Sequence, residues 1–272
     1  MGTTIVSAPN AGVDIMTYTP FLLLALTGCT EDGNLNLFSI QEDIELGQQV
    51  HDEILADPET YPLLDVAAYP EAYDHLYRIR DNILASGEVQ YADEFPWQTY
   101  IIHDDDTLNA FCAPGGYMYV YTGLIHYLDE EDQFAGVMGH EIAHADRRHS
   151  TQQLTKSYGI SLLLEVLWGE DPELLAEVAA ALVELSFSRE DEAEADEYSV
   201  RYLCGTDYAS NGAAGFFELL LEDASWQVPE FLSTHPSSDT RVSDINGWAE
   251  TLECSIESSS DGQYEAFANS LP

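Results

Sequence analysis

The sequence predicts an α+β domain that is predominantly helical, with one small antiparallel sheet. Three observations carry that reading. Apolar residues recur at three- and four-residue steps over most of the chain, one pair of short alternating segments meets around Pro114-Gly115-Gly116, and no internal repeat period is visible. About 240 residues beyond the apolar start suit one domain with a sizeable core.

The chain opens on a short apolar run, Phe21 to Leu26, that ends in Leu26-Thr27-Gly28-Cys29. This resembles a bacterial lipobox, so residues 1–28 are expected to be a signal peptide and Cys29 the lipidated first residue. Met1 to Pro20 carries no Lys or Arg and includes Asp14, a departure from the usual positively charged start. Residues 29–40 read as a linker, 41–255 as the catalytic domain and 256–272 as a C-terminal tail.

Helical periodicity covers 41–56 (Ile44, Val50, Ile54, Leu55) and 70–85 (Tyr73, Leu76, Tyr77, Ile83, Leu84), and 98–103 reads as extended. Residues 108–122 read as two short strands, with Tyr117, Tyr119 and Tyr121 on one face and Met118 and Val120 on the other. The edge of such a hairpin can add a peptide as a further strand, which would set Asn109, Ala110 and Phe111 beside a substrate. An internal hairpin with no such role fits the same pattern.

From Glu131 to Lys156 the positions Phe134, Val137, Met138, Ile142 and Ala145 predict one helix. Acids crowd its start, and Arg147, Arg148 and His149 follow its central motif, as the helix dipole favours. That motif is His140-Glu141-Ile142-Ala143-His144. Two imidazoles four residues apart on a helix face the same way and can grip one zinc ion. The glutamate between them is placed to take a proton from water as the water attacks a carbonyl.

Further helices are expected at 160–168, 173–187, 190–203 and 212–223; the apolar stretch 160–167 is too short to cross a bilayer. In the acid-rich segment Glu192 and Asp196 are four apart and share a face, so one can bind metal while the other accepts a hydrogen bond from a ligating imidazole. Glu190 and Glu194 point elsewhere.

On these motifs the chain resembles the zinc metalloprotease family of HtpX and the CAAX prenyl endopeptidase, closest to the bacterial periplasmic and outer-membrane lipoprotein members of BepA and LoiP type. The resemblance rests on Asn34 to Gly47, Asn109 to Leu124, the Ser188, Arg189, Glu192, Ala195, Asp196 pattern, and Thr234-His235-Pro236 with Arg241. It implies a gluzincin-type fold in which His140, His144 and Glu192 hold one Zn2+ and Glu141 is the general base. Asp196 would support a ligand. His235 would help hold the oxyanion or occupy the open coordination position as a brake, and Arg241 would orient that loop or stabilise charge in the tetrahedral intermediate. The implied activity is that of a zinc endopeptidase acting on unfolded or misassembled envelope proteins from the periplasm, reaching the outer membrane only through a lipid anchor. The alternative is a chaperone-like binding protein whose zinc site is held closed and cuts little.

Fifty acidic against eight basic residues give a formal charge of -42, which excludes nucleic acid as a natural partner and favours neutral or cationic substrate segments. With Cys29 lipidated, Cys112, Cys204 and Cys254 remain. Whether Cys204 and Cys254 pair is open, and Cys112 reads as a buried thiol rather than a metal ligand. His51, His75, His103, His126 and His149 show no partner pattern and read as surface or packing residues.

Overall fold

The structure, a computed structural model, describes residues 35–158, 172–222, 230–236, 240–258 and 263–272. The expected signal peptide, Cys29 and the expected helix at 160–168 lie outside the described residues. The architecture is α+β and mostly helical, with a sheet of three strands at its centre.

Helix α1 (Ile40–Ala56) begins on Ser39, whose side chain accepts from the Glu42 backbone while Glu42 reaches back to Ser39, a reciprocal cap. Its Leu46, Val50 and Ile54 are buried at four-residue steps. Helix α2 (Pro70–Leu84) starts on proline, whose fixed φ suits the first helical turn. Strands β1 (Gln98–Ile102), β2 (Ala110–Ala113) and β3 (Tyr117–Tyr121) form a sheet in the order β1-β3-β2. The expected antiparallel hairpin is β2 with β3, and β1 adds a parallel pair on the other side of β3, so the sheet is mixed. Gly115 and Gly116 turn the hairpin at φ 71° and 80°, a backbone conformation that disfavours other residues.

Alternation along β3 divides the interior. Met118 and Val120 join Ile101, Ala110 and Cys112 in the main core, while Tyr117, Tyr119 and Tyr121 pack with Phe111 and Ile102 against α1 and α6 (Pro172–Val183). His51 belongs to this second cluster, where its Nδ1 lies 2.9 Å from the Tyr119 hydroxyl and its ring stacks on Tyr100.

A short helix, α3 (Thr122–Tyr127), runs directly off β3 into α4 (Glu131–Asp146), of which every residue but Gln133 is buried. The single helix expected over 131–156 is two. It breaks at Arg148, which adopts a left-handed conformation (φ 62°, ψ 33°), and resumes as α5 (His149–Ser157). The strained residue is held by its own side chain, which donates to Asp43 at 2.5 Å and to the Phe38 carbonyl.

Beyond this come α7 (Arg189–Cys204), α8 (Gly212–Glu222), α9 (Glu230–Thr234), α10 (Arg241–Thr251) and α11 (Tyr264–Asn269). Helix α4 packs on α7 and α8, and Gly136 allows the closest approach: a Cβ there would stand 2.0 Å from the Ala213 backbone nitrogen. Cys204 and Cys254 form a disulfide that joins the end of α7 to the segment after α10. The residues read as a C-terminal tail include α11, whose Tyr264 and Phe267 are buried beside Phe134. Among the described residues no helix is long and apolar enough to cross a membrane.

Candidate metal centre

The centre is assembled from three helices and one loop. Helix α4 brings His140, Glu141 and His144; α7 brings Glu192 and Asp196 from the face predicted by their spacing; the chain after α9 brings His235; and the first residue of α10 is Arg241. All are buried. The start of α7 is fixed by Ser188, which caps it reciprocally with Asp191.

His140 Nε2 and His144 Nε2 lie 3.0 Å apart. Glu192 stands 3.5 Å from the first through Oε2 and 3.4 Å from the second through Oε1. His235 Nδ1 is 3.0 Å from Glu192 Oε1 and 3.3 Å from His140 Nε2. These four residues form a cluster able to hold a metal ion. One ligand atom from each of the four lies within 4.8 Å of all the others; a tetrahedron with ligand bonds near 2.1 Å has edges of about 3.4 Å. Three imidazoles and a carboxylate, all buried and converging lone pairs on one point, fit a divalent cation.

Each donor is backed by a second group. Asp196 Oδ1 lies 2.9 Å from His140 Nδ1, and Arg241 donates to Asp196 from Nε at 2.7 Å while its Nη1 sits 3.0 Å from Glu192 Oε2. Phe187 stacks on His144 at 4.0 Å and Phe231 on His235 at 4.4 Å. The His235 loop is pinned by backbone bonds from His235 N to Phe231 O and from Phe187 N to Thr234 O. Ser237, Ser238 and Asp239 lie outside the described residues.

Electrostatics separate the two helix imidazoles. Burial, the largest influence on both, works against the charged ring; His144 is held well below its ordinary value, whereas Asp196 and Glu192 overcome burial at His140 and raise it to about 9. Burial also acts to raise Glu192, but His235, His140 and His144 outweigh it and hold the carboxyl well below the usual range. Glu141 is the contrary case: burial raises its carboxyl, and neither oxygen has a hydrogen-bond partner. His235 Nε2 lies 3.4 Å from its Oε1.

Sequence reasoning placed His140, Glu141, His144, Glu192, Asp196, His235 and Arg241 together, and the structure brings all seven together. The donors of Arg241 face Asp196 and Glu192. Asn109, Ala110 and Phe111 lie at the start of β2, an edge strand against which α4 packs. His149, expected to be a surface or packing residue, is buried and also meets the cluster, with Nδ1 2.9 Å from His144 Nδ1 and Nε2 3.3 Å from Glu194 Oε2. Its sequence signal was only a histidine five residues after the motif.

Comparison with known proteins agrees with this geometry. The chain is 31% identical over 158 residues to the mitochondrial metalloendopeptidase OMA1 of Arabidopsis thaliana, covering 58% of this chain and 32% of that protein. It is 26% identical over 230 residues to OMA1 of Schizosaccharomyces pombe, covering 82% and 66%. To the beta-barrel assembly-enhancing protease of Escherichia coli it is 29% identical over 191 residues, covering 65% and 39%. It thus spans between about a third and two thirds of the length of these relatives. The model of peptidase family M48 matches residues 74–249, well over half of the chain and every residue of the metal cluster, and the chain belongs to that family.

Proposed function

We propose that the protein is a zinc-dependent endopeptidase in which His140, His144 and Glu192 hold one Zn2+ and Glu141 is the general base. The observation that carries this is the Glu141 carboxylate, buried beside the four-donor cluster with both oxygens unpartnered. A buried carboxylate left without donors is costly, and such cost is retained where a proton has to be accepted. Imidazole donors joined by a carboxylate suit zinc over calcium or magnesium. Zinc, when bound, supplies Lewis acidity that polarises a carbonyl and brings the pKa of water toward neutrality.

Glu141 would accept the proton of the attacking water and pass it to the leaving amine. Asp196, held by Arg241, fixes the His140 ring so that Nε2 faces the cation. A peptide would lie along the side of β2 that β3 leaves unpaired. Tyr121 N bonds Asn109 O, so alternation turns the backbone groups of Ala110 and Cys112 outward. The Asn109 Oδ1, buried without a partner, offers a further acceptor beside that edge.

A second reading is favoured by His235. As a fourth protein donor it would close the coordination shell, which is the arrangement of structural rather than catalytic zinc. In its moderate form His235 is a brake on a protease; in its strong form the protein binds unfolded chains and cuts little. One comparison on an unfolded substrate decides. Glu141→Gln should lower turnover by about 10²- to 10⁴-fold with zinc retained, and His235→Ala should raise it. Undiminished cleavage by Glu141→Gln would sink the mechanism, and a cleavage rate unchanged in His235→Ala would sink the brake.

For the biological setting, the lipobox-like Cys29 and the Cys204–Cys254 disulfide support an oxidising compartment, with envelope quality control from the periplasmic face of the outer membrane as the role. Substrates would be unfolded or misassembled proteins, with no nucleic acid and no membrane contact beyond the lipid anchor.

A further inference from the structure

We propose that His149, Glu194 and Arg147 form a relay that fixes the tautomer and aim of His144, a positioning device that rests on the metal-site reading above. The two helix imidazoles are supported differently. His140 Nδ1 meets a carboxylate, Asp196, at 2.9 Å. His144 Nδ1 meets another imidazole, His149 Nδ1, also at 2.9 Å. The outer nitrogen of His149 faces Glu194 Oε2 at 3.3 Å, and Glu194 Oε1 accepts from Arg147 Nε at 2.8 Å.

Proton positions follow from these partners. If His144 presents the Nε2 lone pair to a cation, its proton is on Nδ1, so His149 Nδ1 must accept. The remaining proton of His149 is then on Nε2, where Glu194 accepts it. The opposite assignment puts the His144 proton between the other donors and turns a bare His149 Nε2 lone pair toward a carboxylate, two repulsions at once. Only one tautomer is therefore compatible with both ends. His149 is fully buried, and the Arg147 guanidinium lies 4.4 Å over the Tyr198 ring, so the relay is held at both ends by packing. The left-handed backbone at Arg148 makes it possible by turning the chain so that His149 comes back to His144 rather than continuing along α4.

Zinc affinity of the full chain, measured by chelator competition, tests this without reference to turnover. His149→Phe should weaken binding about 10- to 100-fold. His149→Gln, whose amide oxygen can accept from His144 Nδ1, should recover most of that loss. Glu194→Gln should weaken binding in the wild-type background and add nothing on top of His149→Phe, because the two act in series. Wild-type affinity in His149→Phe, or a Glu194→Gln effect that persists in that background, overturns the relay. Should His149→Phe not fold, Glu194→Gln decides alone, and unchanged affinity overturns it. A wild-type protein that binds no zinc would instead overturn the metal reading itself.

Discussion

Glu194 points away from the metal cluster, as its spacing predicts, and meets a second set of partners. Its side chain is 23% exposed, and burial acts to raise its carboxyl, yet His149 and Arg147 outweigh burial and hold it below the usual carboxylate value. A carboxyl whose pKa is lower folded than unfolded stabilises the fold above the unfolded value, and that contribution is lost as pH falls through the folded one. Chemical unfolding followed between roughly pH 5 and 3 should therefore show a shallower decline for Glu194→Gln than for wild type. Parallel curves would refute it. At this scale the sequence was legible where spacing on one helix settles direction, as for His140 with His144 and for Glu192 with Asp196. Arg147, Arg148 and His149 were expected inside one continuous helix, because nothing in an Arg-Arg-His run announces a left-handed residue of the kind that glycine would have signalled.

Among the elements, α1, α2, the hairpin and α7 followed from periodicity to within a residue or two. Helices α3, α10 and α11 did not. The first has six residues and no cap of its own, and the other two carry too few apolar positions to show a period; α11 rests on only Tyr264 and Phe267. Helix α4 was expected as an amphipathic stripe but is buried all round, which is why small residues interrupt its apolar ones. Its crossing with α8 brings backbone close to backbone, with Gly212 as tight as Gly136: a Cβ on it would lie 2.0 Å from the Asp132 carbonyl oxygen. Gly136→Ala should accordingly destabilise by about 1–3 kcal/mol or more, seen as a Tm lower by several degrees. Gly247→Ala, in α10 with nothing near its added methyl, should stabilise by about 0.5–1 kcal/mol. Equal effects at both glycines would mean that the crossing yields.

For the molecule as a whole, the cluster is held together from elements far apart in sequence, and the disulfide limits how far the late ones can separate. Cys204 and Cys254 are 50 residues apart, and closing a loop of that length removes unfolded-state entropy worth about 4 kcal/mol. Reduction, or Cys204→Ser with Cys254→Ser, should lower unfolding free energy toward that amount in a denaturant titration; no change would show that the loop is already restrained. Sequence could count the cysteines but not their meeting, since the pairing depends on α10 lying along α7. Charge organisation is likewise invisible from composition. Seven of the eight basic residues stand within ion-pair distance of an acid, so nearly all the positive charge is committed to internal contacts and the exterior is left anionic.

The Arg148 pivot also answers to the beginning of the described chain. Asp43 and the Phe38 carbonyl take its guanidinium, while Asn36 Nδ2 donates to Thr151 and Leu37 N to Thr155. Residues 36 to 43 thus brace α5 and the turn that follows the helix carrying His140 and His144. A nick or trimming there would leave every residue of the metal cluster in the chain and still release the turn that follows their helix.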